Sequence, residues 1–133
     1  MLKTLEVPTH NHTELVDITH LVQDAVIKSK IREGICLVYV PHTTAGVTIN
    51  ENADPSVKHD ILMEAAKFVP EHDRSYRHSE GNSAGHIKST LFGSSVTLII
   101  ADGRLILGTW QGIYFSEFDG PRHRRVHVKI IEG

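Results

Sequence analysis

SSVTLIIADGRLILGTWQGIYFSEFDGPRHRRVHVKII, residues 94 to 131, is the stretch whose reading decides the fold. Two apolar runs flank Asp102-Gly103, the preferred pair for a two-residue hairpin, because both central positions tolerate positive φ. The pattern predicts a meander of strands at about 95 to 101, 104 to 109, 112 to 118 and 122 to 131. In the last of these, Arg122, Arg124, Val126, Val128 and Ile130 share one face by period 2, while His123, Arg125, His127 and Lys129 share the other. Arginines that continue an apolar face suggest an anion site or a subunit contact. The second face reads as a solvated edge guarded by basic side chains.

Upstream, residues 2 to 7 and 12 to 18 alternate loosely as strands around Pro8 and Asn11. From Thr19 to Arg32, Val22, Ala25, Val26 and Ser29 follow helical spacing, with Thr19 or Asp17 as cap and Gly34 as stop. ICLVYVP, 35 to 41, is a continuous apolar run, as expected of a strand buried on both faces. GVTINE, 46 to 51, resumes alternation. Asp54-Pro55 then starts a helix to about Phe68, its stripe of Val57, Ile61, Ala65 and Phe68 facing the core. Strands joined mostly by short turns, with two main helices and a short third, make an α+β domain with a mainly antiparallel, sandwich-like core. Residues 1 to 133 form one domain.

Hydrophobic residues at 40% and charged residues at 23% are those of a soluble globular chain. No window approaches the roughly 18 apolar residues of a membrane span. Cys36 is the only cysteine and the start lacks the pattern of a secretory signal, so the expected location is the cytoplasm. A formal net charge of −2 supplies no global field for phosphate backbones, which argues against nucleic acid. Ten histidines against one cysteine mean that any metal is held by imidazole and carboxylate.

The residues able to carry chemistry fall in three stretches. In HSEGNSAGHIKST, 78 to 90, Ser83 can cap a short helix of about 84 to 91, with Ile87 and Leu91 as its buried side. His86 falls in its first turn, with a ring nitrogen for a metal or a substrate proton. Gly81, Asn82 and Ser83 leave N–H groups free at the same end for phosphate or carboxylate, and Lys88 can add a donor. A polar loop and a capped surface helix explain the same residues. His78 and His86 do not match a known metal signature. His42 closes the buried strand beside Thr43, and Glu51 and Asn52 lie between strand and helix. Alternation puts Glu51 on the side of Val47 and Ile49, and a carboxylate there is usually paired or binding. In GTWQG, 108 to 112, Trp110 is either core or interface, or else an aromatic wall with Gln111 as an orienting amide.

HTTAGVTINENADPSVKHD, HSEGNSAGHIKS and SSVTLIIADGRLILGTWQGIYFSEFDGP together resemble the YjbQ family, also called secondary thiamine-phosphate synthase enzymes. The resemblance implies a small α+β fold assembled as a homotrimer, with sheets packed around the threefold axis. It also implies a weak ability to make thiamine phosphate beside an unsettled primary role. The family's polar pattern falls on His42, Thr43, Asn50, Glu51, Asn52, Asp54, Asp60, His78, Glu80, His86, Lys88, Trp110 and Gln111. Gly85 departs from it, since alanine is frequent there.

These readings combine into an expected site. His42, Glu51 and His86 are the candidate catalytic residues, and His42, His78 and His86 the candidate ligands of a divalent metal, zinc or magnesium. Thr43, Asn52, Gly81, Asn82, Ser83, Lys88, Trp110 and Gln111 are the candidate contacts to a small phosphorylated molecule. The expected reaction joins thiazole phosphate to aminopyrimidine diphosphate with release of pyrophosphate. The alternative is a non-catalytic trimer that binds a metal or an anion.

Overall fold

The computed structural model describes residues 2–133. Its elements are β1 (Leu2–Pro8), β2 (Glu14–Asp17), α1 (Thr19–Ser29), β3 (Gly34–Tyr39), β4 (Ala45–Glu51), α2 (Pro55–Phe68), α3 (Ser83–Phe92), β5 (Ser95–Ala101), β6 (Arg104–Leu105), β7 (Gln111–Glu117) and β8 (His123–Glu132). Two antiparallel sheets, ordered β1-β8-β3-β5-β6 and β2-β7-β4, form an open half-barrel. The α+β class with three helices is as the sequence reads.

The core lies between the sheets and α1. It joins Cys36 and Val38 of β3, Val126, Val128 and Ile130 of β8 and Ile113 and Phe115 of β7 to Val22, Ala25 and Val26 of α1. The face of β8 expected to be apolar is the buried one. α1 is pinned at its start: Asp17 Oδ1 accepts the Thr19 N–H and hydroxyl, and Thr19 Oγ1 accepts the Ile113 N–H at 2.9 Å. It ends at Lys30, whose φ of 62° breaks the helix, so it stops short of Arg32.

Only the first hairpin of the expected meander exists. Asp102 and Gly103 take φ of 53° and 77° and pair β5 with a two-residue β6. Then the chain changes sheets: β7 lies between β2 and β4, and β8 returns to lie between β1 and β3. β8 is therefore an interior strand, and its basic residues lie on an open face of the sheet instead of guarding an edge. β3 shares that face, so its expected burial on both sides does not hold: Ile35 and Tyr39 are exposed while Cys36 and Val38 are buried.

α2 keeps its expected face half-buried at Val57, Ile61 and Ala65, while α3 turns a different face inward. Asp54 caps α2 through the Ser56 N–H, as Asp-Pro predicts, but α2 has no buried residue and Phe68 is 79% exposed. In α3 the cap position is Asn82, not Ser83, and no side chain bonds there. Ile87 and Leu91 are exposed, whereas Ala84, Gly85, Lys88 and Ser89 are buried. The cause is close approach: a Cβ on Gly85 would lie 2.9 Å from the Phe118 carbonyl oxygen, and one on Gly46 of β4 would lie 2.5 Å from that of Gly93. Small residues let α3 press its polar-looking side against the backbone.

Candidate functional site

β3 ends at Tyr39, so the flank of β8 beyond His127, the partner of Tyr39, has no strand beside it. The loop at 40 to 44 fills that gap. His42 Nε2 accepts the Arg125 N–H at 3.1 Å, taking the bond a longer β3 would have made. With Nε2 accepting, the neutral ring carries its hydrogen on Nδ1. Burial, and next the guanidinium of Arg124, lower the His42 pKa below its ordinary value.

α3 and the chain before it bring the other histidines to the same place. The His78 and His86 rings meet edge to face with centroids 5.1 Å apart, and His78 Nε2 is 3.9 Å from Glu80 Oε1. A cleft of about 400 Å³ is lined by His42, Thr43, His78, Asn82 and His86, together with Glu80, Asp119, Arg122 and Arg124. Three stretches distant in sequence thus converge on one opening.

Behind the cleft lies a buried ion pair. Glu117 is fully buried and Arg124 is 5% exposed; Arg124 Nε donates to Glu117 Oε1 at 2.8 Å, and Nη2 donates to Oε2 and to Thr44 Oγ1. Thr9 Oγ1 donates to Glu117 Oε1 at 2.7 Å. Burial pushes the Glu117 carboxyl up, but these bonds, the Asp119 N–H and the charge of Arg124 outweigh it and hold it below the ordinary value. Asp119 is held low in the same way, by Asn82 Nδ2 at 2.8 Å and by Arg122 Nη2 at 2.9 Å, against its own desolvation.

The other expected residues lie elsewhere. Lys88 is 3% exposed, its ammonium 5.8 Å from the Phe118 ring centre, outside the cleft lining. Gly81 and Ser83 open onto a neighbouring hollow lined by Glu71, His72, Asp73, Arg74, Tyr76 and His78. Glu51, Asn52, Trp110 and Gln111 gather at the far end of β4 from His42. There Asn52 Nδ2 donates to Asp17 Oδ2, the Asn52 N–H donates to the Trp110 carbonyl, Tyr114 donates to the Glu51 carbonyl, and Gln111 Oε1 accepts the Gly108 N–H. Six residue steps of strand separate the two ends, roughly 20 Å at about 3.3 Å per residue. One chain therefore holds two clusters.

The sequence matches the family described as UPF0047 protein YjbQ-like over residues 3–133. The chain belongs to the YjbQ family. A YjbQ relative in Methanocaldococcus jannaschii is 56% identical over 98% of this chain and 94% of its own length. YugU of Bacillus subtilis is 51% identical over 98% and 99%. Among solved structures, a YjbQ/UPF0047 protein of Clostridium acetobutylicum superposes with a TM-score of 0.95 at 54% identity, covering 97% of this chain and 99% of that one. A protein of unknown function from Sulfolobus solfataricus gives 0.94 at 36% identity, covering 100% and 97%. The YjbQ family has no established primary function.

Among the described residues no three of His, Cys, Asp and Glu are placed to hold a metal ion. His42 has its Nε2 lone pair engaged, which leaves His78 and His86 as a pair. Sequence reasoning missed Glu117 and Asp119, although period 2 puts Glu117 on the core side with Ile113 and Phe115. A carboxylate on that parity calls for a buried cation, and Arg124 is the one on the facing side of β8.

Proposed function

We propose that this protein binds a small phosphorylated molecule in the His42–His78–His86 cleft, and that joining thiazole phosphate to aminopyrimidine diphosphate is a side activity of that site. The observation that supports this reading is the convergence of three histidines and two arginines on one opening of about 400 Å³. In that reaction the thiazole nitrogen lone pair attacks the methylene carbon and pyrophosphate leaves with the bonding pair. The nucleophile needs no activation, so the protein's task is to position both partners and stabilise the departing charge. His42 and His86 are the groups assigned to the leaving oxyanion.

Glu51, Asn52, Trp110 and Gln111 lie too far away to act with these histidines in one protomer. In the proposal a neighbouring copy brings them, within a homotrimer of the kind the family resemblance implies. A zinc or magnesium ion would take His78 and His86 and a further ligand from that neighbour. Elemental analysis of untagged protein, with and without His86→Ala, tests the metal separately.

The catalytic test is the steady-state rate with the two substrates. Loss of a positioned proton donor typically lowers such a rate by about 100-fold or more, so His42→Ala and His86→Ala should each do so. Rates unchanged in both variants refute the assignment. The separation of the two clusters also favours a second reading, an anion-binding protein without turnover, which predicts inorganic phosphate bound tightly and no product above the uncatalysed rate.

A further inference from the structure

The basic pair that opens β8 has a role in the cleft that the histidine reading does not use. Arg124 commits Nε and Nη2 to Glu117 and Thr44, and Arg122 commits Nε and Nη2 to the carbonyl and carboxylate of Asp119. Each guanidinium is fixed by one edge, and each Nη1 has no partner among the described residues. Both arginines line the cleft beside His42. Because the Arg125 N–H occupies Nε2, the ring nitrogen that His42 keeps for a ligand is Nδ1, as a donor. The lining carboxylates are accounted for: Asp119 is bonded by Asn82 and Arg122, and Glu80 stands beside His78.

We propose that Arg122, Arg124 and neutral His42 form a phosphoryl pocket, with Arg122 and Arg124 donating through Nη1 and His42 through Nδ1–H. This rests on the cleft being the ligand site and deepens that reading: it places the phosphoryl group at the start of β8 and away from Lys88. Three separate donors suit the three free oxygens of a phosphoryl group better than a planar carboxylate. The Glu117 pair acts as a positioning device, holding one edge of Arg124 so that its orientation is set before ligand arrives.

The test uses the full chain, 15N-labelled at histidine, titrated with inorganic phosphate. His42 should show a protonated Nδ1 and an unprotonated Nε2, and its Nδ1 signal should move on binding. Arg122→Gln, at a half-exposed position, should weaken phosphate by about tenfold, as expected for one charge-assisted bond. Arg124→Lys, whose ammonium is kept by Glu117, should weaken it at least as much while the thermal melt shows the protein folded. Phosphate that binds equally to both arginine variants, or that moves His86 and leaves His42 unmoved, overturns this pocket but leaves the cleft as the binding site. A failure of phosphate to bind at all overturns both readings.

Discussion

Glu117 and Arg124 make the region behind the cleft sensitive to acid, and the sign follows from the direction of the shift. The carboxyl titrates near 4.5 in an unfolded chain and lower in the folded one. Its contribution to stability is complete above about pH 4.5 and is lost as pH falls through the folded value. Replacing it leaves Arg124 buried without its counter-charge, which costs about 3–5 kcal/mol. Glu117→Gln is therefore expected to lower stability by that amount at pH 7 in urea unfolding, and to lessen the fall of the melting temperature between pH 5 and pH 3. A variant with wild-type stability at pH 7 would show that the pair contributes nothing net. At this scale several placements were readable: His42 from the end of a strand, His86 from the start of a short helix, and Arg124 from its parity with the buried side of β8. Lys88 was not, because a lysine on a short helix reads as solvated unless the two glycine contacts that turn that side inward are known.

At the scale of elements, the segment between α2 and α3 is what carries His78 and Glu80 to the cleft, and it has no regular structure of its own. His12 ties it down: Nε2 is bonded to Glu71, and Nδ1 lies 3.3 Å from the Gly120 carbonyl. The bond to Glu71 raises the His12 pKa above 6.5, against some desolvation. The tie is fully present below pH 6.5 and is lost as pH rises through the folded value. Amide exchange over residues 71 to 78, corrected for intrinsic chemistry, should quicken between pH 6 and pH 8.5, and His12→Ala should remove the difference. The packing of α3 on β4 gives a second expectation. A Cβ on Gly46 would meet the Gly93 carbonyl that accepts the Val47 N–H at 3.0 Å. Gly46→Ala should cost about 1–3 kcal/mol, as overpacking does, measured by denaturant unfolding. Element positions were readable from periodicity and capping, as α1 and the Asp54-Pro55 start show. Pairing was not, since the meander and the observed sheet exchange carry the same local alternation, and only contacts distant in sequence separate them.

At the scale of the whole molecule, the faces that periodicity misassigned are those that remain uncovered. On the open sheet face Ile35 stands directly across from Ile99 and from Ile131, and all three are exposed. Phe68, at the end of α2, is 79% exposed, and Trp110 is 62% exposed at the far end of β4. The continuous run of β3 signals burial, but within one chain only its Cys36–Val38 side is covered. Apolar surface repeated on two separate faces is the mark of an interaction surface, and two unlike faces suit a closed ring of copies better than a twofold pair. If copies close the ring through the sheet face, Ile35→Glu should lower the mass measured by light scattering towards that of one chain while the circular dichroism of the fold persists. Such an assembly would give the two clusters a way to meet. His86→Ala removes one cluster's ligand group and Trp110→Ala the other's, so each homogeneous variant should lose turnover or phosphate affinity. Co-refolded together, they form rings in which some interfaces join an intact histidine cleft to an intact Trp110 cluster. Of the interfaces in a random equal mixture about one quarter are of this kind, so activity near a quarter of wild type is expected where two neighbours share a site. Mixtures no more active than the separate variants would mean that each cluster works within its own protomer, and that the roughly 20 Å between them separates two independent functions.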